Sequence, residues 1–125
     1  MKESLVYNKA LNYAVRIVNL YKYLNENKRE NIMSKQLLRC GTSIGANISE
    51  ALSAESTADF IHKLSISQKE ANETQYWLCL LLQTAYLSQN HFNSFCVYLF
   101  SGWVLSCVFR KSFCFEKEKH SRRRA

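Results

Sequence analysis

Apolar residues recur along this chain at alternating intervals of four and three. Val6, Ala10, Tyr13, Ile17, Leu20 and Leu24 form the first such series, and this spacing lines one face of a helix packed in a bundle. It predicts a first helix over about residues 3–24. Leu11, Ala14, Val18 and Tyr21 widen the stripe to a second face, so neighbours are expected on two sides. Residues 25–31 (NENKREN) are polar, charged and without period, and read as the clearest loop.

Leu37, Ile44, Ile48 and Leu52 recur at helical spacing and predict a second helix over about residues 34–53. Between them stand Cys40, Gly41, Thr42, Ser43, Gly45 and Ala46. A glycine inside a helix costs about 1 kcal/mol against alanine, so two of them four apart need a reason. Gly41 and Gly45 share one face, and small residues there admit a close helix neighbour. A phosphate-cradling loop is the sharper alternative, but no strand precedes the glycines and no Gly-Lys-Ser/Thr follows. Ser43, Asn47 and Glu50 form a polar line beside the apolar face. It is either an exposed stripe or a buried line bonded to a neighbouring helix or subunit.

Ser56, with Asp59 three residues on, has the form of a capping box opening a third helix, and an acid in the first turn suits the helix dipole. Phe60, Leu64, Ser67, Ala71, Thr74, Leu78, Leu81 and Ala85 keep the four-three spacing, so the helix is expected to reach Leu87. Its seam narrows at Ser67, Ala71 and Thr74, where a partner helix can place a bulky residue. Gly41, Ile44, Gly45, Ile48, Ala71 and Leu78 are the expected helix-packing positions. Glu70 and Glu73, three apart, suggest an acid/base pair or half of a di-iron site, but the histidine such a site requires is missing and His62 has the wrong spacing. A solvated or intersubunit polar face, with Ser43, Asn47 and Glu50, is the better reading.

After a turn at residues 88–93, residues 92–109 (FNSFCVYLFSGWVLSCVF) carry no charge and are apolar around most of a helical circumference. Such a helix is either wholly buried or in a membrane. At 18 residues with several polar ones inside, the run sits at the lower edge for a membrane span, and a soluble fourth helix is favoured. Residues 1–90 thus hold three helices, 91–109 an apolar fourth helix or degenerate segment, and 110–125 a basic tail expected to be disordered.

Composition sharpens this reading. The chain has 125 residues, no proline and three glycines, so little interrupts a helical pattern; it is one mostly α-helical domain. The net charge is +7, yet residues 1–109 contribute only +2, and the end of the chain contributes the rest. Five cysteines show no CxxC and no histidine at zinc-finger spacing, so no metal or other cofactor is expected. There is no nucleophile paired with a base, and an enzyme is not expected. The first residues lack the apolar run of a signal peptide, which suggests a cytoplasmic protein. The glycosylation patterns at Asn47 and Asn72 are discounted for that reason.

The stretch QLLRCGTSIGANISEA, then Asp59-Phe60, Lys63-Leu64, Lys69-Glu70-Ala71, Glu73-Thr74 and Tyr76-Trp77-Leu78, resembles the four helix bundle protein family, also called 23S rRNA intervening sequence or S23 proteins. The resemblance covers about residues 11–87. It implies an all-α, up-down antiparallel four-helix bundle that assembles into a homopentamer. Members are encoded in sequences inserted into large-subunit ribosomal RNA genes, and elsewhere as free-standing bacterial genes. Related proteins are accessory factors of diversity-generating retroelements, in which a basic barrel binds nucleic acid and a reverse transcriptase. The family supplies no catalytic residues.

After about Asn90 the chain departs from the family's charge-rich, amphipathic fourth helix, so the fourth helix here is atypical. A shifted reading frame near codon 90 accounts for such a change and predicts a charged amphipathic helix in another frame of the gene. The functional expectation is a non-enzymatic oligomeric scaffold contacting RNA, DNA or a nucleoprotein. Arg16, Lys35, Arg39, Lys63 and Lys69 are the candidate phosphate contacts, and with no base-reading motif any binding should be salt-dependent. The alternative is a small membrane-anchored protein held by residues 92–109.

Overall fold

The computed structural model describes residues 4–100, and within them the chain is four helices: α1 (Leu5–Asn27), α2 (Met33–Leu52), α3 (Thr57–Gln83) and α4 (Gln89–Phe100). The all-α four-helix reading is borne out. The rest of the expected apolar fourth helix, and the basic tail at 110–125, lie outside the described residues.

The antiparallel arrangement of α2 and α3 follows from their pairings. Arg39 meets Glu70 and Glu73, the Ile44 carbonyl meets Ser67, and Glu50 meets Lys63. The seam of each helix faces inward. Ala10, Tyr13, Ile17 and Leu24 from α1 pack with Leu37, Ile44 and Ile48 from α2, Leu64, Ala71, Leu78 and Leu81 from α3, and Phe95 and Leu99 from α4. Burial of these side chains is the main driving force for the fold.

Helix ends differ from the expected ones for local reasons. Nothing in Asn25-Glu26-Asn27 breaks a helix, and the Asn25 amide donates to the Tyr21 carbonyl at 2.7 Å. Helix α1 therefore continues to Asn27, and the expected loop shrinks. At the other boundary α3 stops at Gln83 rather than Leu87. Ala85 takes a left-handed conformation at φ 65°. Its N–H bonds the Leu82 carbonyl at 3.1 Å and the Tyr86 N–H bonds that of Leu81 at 2.9 Å. This is a Schellman closure, and it turns Leu87 back into the core. Ala85 is thus an exposed turn residue, not a seam position. Leu52 also leaves the seam: it is half exposed, and Ala51 takes the inward position after Ile44 and Ile48.

The third-helix cap forms as the sequence predicts. The Ser56 hydroxyl accepts from the Asp59 N–H at 3.1 Å, but the Asp59 carboxylate reaches the N–H of Glu55, not of Ser56. The described part of α4 is more ordinary than its composition implies. Phe95, Cys96 and Leu99 are buried, Phe92 is half-buried, and Asn93, Ser94 and Val97 are exposed. That is again a four-three seam on one face. No helix among the described residues is long and apolar enough to cross a membrane.

Candidate functional site

The small-residue seam of α2 is a helix contact. The backbone at Gly41 lies against the Ile17 side chain, and that at Gly45 lies beside Ala10, so α1 descends onto the face the sequence singled out. Next to this seam α1 and α2 enclose an open groove of about 260 Å³, lined by Tyr7, Leu11, Ala14, Thr42, Ala46 and Ser49 among others. Leu11 is 49% exposed and Val15 52%. The second apolar face of α1 is therefore left partly open by the chain's own helices.

The five candidate cations divide by environment. The Arg39 guanidinium donates to Glu70 at 3.5 Å and also to Glu73, joining α2 to α3. Lys63 donates to Glu50 at 2.8 Å, and this bond holds its ammonium above the ordinary lysine value. Arg16 donates to the carbonyl of Ser94 at 3.4 Å and to its hydroxyl at 2.6 Å. Its guanidinium also covers the Phe95 ring, 4.4 Å from the centroid. These three residues tie helices together. Lys35 and Lys69 are exposed and make no ion pair among the described residues.

The polar positions divide too. Glu50, Glu70 and Glu73 are acceptors for those cations. Ser43 donates to the Arg39 carbonyl at 2.6 Å and Asn47 to the Ser43 carbonyl at 2.8 Å, so both are half-buried side chains bonded along their own helix. The buried inter-helix hydrogen bond comes from Ser67 instead, which donates to the Ile44 carbonyl at 2.9 Å. Ala71 and Leu78 are core residues as expected. No group of three His, Cys, Asp or Glu side chains among the described residues is placed to hold a metal ion.

The residue that sequence reasoning missed is Glu30, placed in the polar loop. Glu30 is buried, 7% exposed as a residue, and its carboxylate accepts the backbone N–H groups of Ile32, Met33 and Ser34 at 2.8–2.9 Å. Ser34 returns a bond from its hydroxyl to the Glu30 carbonyl at 2.9 Å. Burial pushes the Glu30 carboxyl up, but the three N–H donors outweigh it and hold it below the ordinary carboxylate value. The only signal in the sequence was an acid shortly ahead of a helix start.

The profile of the 23S rRNA-intervening sequence protein family matches residues 2–99. The chain belongs to that family. The match runs beyond Asn90 through most of α4, so the departure from the family pattern lies later than the composition of the fourth helix suggests. Among solved structures, the family member is similar to a protein of unknown function from the S23 ribosomal protein family of Bacteroides thetaiotaomicron VPI-5482. The two share 51% identity with a TM-score of 0.81, over 83% of this chain and 98% of that one. No curated protein matches the chain.

Proposed function

We propose that this family member is a non-enzymatic helical scaffold that self-associates and contacts nucleic acid or a nucleoprotein, in the manner of a reverse-transcriptase accessory protein. The observation that carries the self-association is the outer face of α1, where Leu11 and Val15 stand about half exposed beside an apolar groove. A second copy of the chain is the occupant this reading assigns to that face, in keeping with the pentamer that the family resemblance implies. A ring of copies would repeat the body's +2 charge around its circumference, and a modest monomer charge would become a field able to hold phosphates.

Light scattering coupled to size exclusion tests the assembly. A species near five times 14.6 kDa is expected, and the double variant Leu11→Glu/Val15→Glu should shift it toward monomer while its helical circular dichroism is retained. A monomeric wild type would overturn the scaffold reading. Nucleic-acid retention should then fall steeply with salt; retention that is absent, or indifferent to salt, would overturn the second half.

A further inference from the structure

The described charges are not spread evenly over the bundle. Residues 16–39 hold six basic and two acidic side chains, whereas residues 50–73 hold two basic and five acidic ones. Arg39 pairs with Glu70 and Glu73 between the two ends, and Arg16 lies well inside α1. Lys22, Lys28, Arg29 and Lys35 stand with Glu26 and Glu30 around the α1–α2 turn, and Glu50, Glu55, Asp59 and Lys63 around the α2–α3 turn. At the α1–α2 end, α1 and α3 finish while α2 and α4 begin, so two helix C-termini and two N-termini meet. Their dipoles largely cancel, and side chains decide the sign of that end.

Of the two acids near the α1–α2 turn, Glu26 is exposed and Glu30 is buried, its carboxylate committed to three N–H groups of α2. Residues 74–100, which bring α3 to this end and start α4, contain no Asp, Glu, Lys or Arg. Lys22, Lys28, Arg29 and Lys35 are all exposed there and face one exposed carboxylate. The opposite end carries Glu50, Glu55 and Asp59 against Lys63, which is already paired.

We propose that the α1–α2 end of the bundle, presented by Lys22, Lys28, Arg29 and Lys35, is the surface that takes the phosphate backbone of nucleic acid. The proposal rests on the nucleic-acid reading above and moves the contact away from Arg16, Arg39 and Lys63, whose charges serve the helix pairings. Arg29 supplies a second pointer. It holds a left-handed backbone at φ 53°, where glycine is the easier residue. A bulky cation thus occupies a turn position that favours another residue type.

The test uses the full chain and a fluorescently labelled single-stranded RNA oligonucleotide, with affinity followed between about 50 and 200 mM salt. Three variants are compared with wild type. Lys22→Gln/Lys28→Gln/Arg29→Gln/Lys35→Gln removes the proposed surface, Lys9→Gln/Lys63→Gln/Lys69→Gln removes cations elsewhere on the bundle, and Arg122→Ala/Arg123→Ala/Arg124→Ala removes charge from the tail. The first should bind roughly tenfold or more weakly and lose about three units of the slope of log affinity against log salt. The other two should keep most of theirs. Equal losses in all three would mean that net charge alone binds, and would overturn the placement. So would a loss confined to the tail variant, or wild type held by phosphatidylserine vesicles but not by RNA. Wild type that binds neither would overturn the nucleic-acid reading itself. Arg29→Gly guards against a folding artefact: its melting temperature should hold or rise while RNA affinity falls, and unchanged affinity would remove Arg29 from the surface.

Discussion

A Cβ built on Gly41 would stand 2.9 Å from both Cγ1 and Cγ2 of Ile17. Ile17 is fully buried and branched at Cβ, so it cannot turn aside cheaply. Gly41→Ala should therefore destabilise the fold by about 1–2 kcal/mol, because overpacking outweighs the gain in helix propensity. Gly45 is different: a Cβ there would meet Ala10 at 3.4–3.6 Å, close to ordinary contact. Gly45→Ala should be neutral or stabilising by up to about 1 kcal/mol. Urea unfolding of the two variants checks this, and equal losses would refute the distinction.

Glu30→Ala should cost about 2 kcal/mol, since three backbone donors at the start of α2 lose a charged acceptor. The pH dependence has a definite sign. The folded-state value of Glu30 lies below the unfolded 4.5, so its contribution is full above about that pH and fades as acid protonates the native carboxylate. The stability gap between wild type and Glu30→Gln should narrow as pH falls below 4.5. Chemical denaturation at several pH values measures it, and a gap that widens in acid would contradict the role.

Ala85→Gly should stabilise the protein by about 0.5–1 kcal/mol. The left-handed position at φ 65° penalises a Cβ, and the Schellman bonds of Ala85 and Tyr86 need only backbone atoms. Thermal unfolding followed by circular dichroism should show a small upward shift; a downward shift would mean that the alanine methyl contributes packing.

Ser67 is fully buried and donates across the α2–α3 interface to Ile44. Ser67→Ala should cost about 1 kcal/mol, the net worth of one such bond. Ser67→Leu should cost more, because the seam is close-packed at this level. A denaturation midpoint unchanged by both substitutions would show that the interface tolerates either.

The alternation of four and three located α1 and α3, and the helical spacing of Leu37, Ile44 and Ile48 located α2, since a helix that buries one face must repeat its apolar residues about every turn. The Ser56 cap was readable for a similar reason: donor and acceptor lie three residues apart, and local geometry alone brings them together. The family was legible in the run from Leu37 to Leu78, whose small and polar residues are distinctive in order as well as in kind. What the sequence could not specify was which residues far apart in the chain would meet. Arg39 finds Glu70 and Glu73 across more than thirty positions, and Arg16 finds Ser94 across 78. Both depend on the register of one helix against another. The packing of the whole seam sets that register, and no single spacing encodes it. The same register gives the described part of α4 its single buried face.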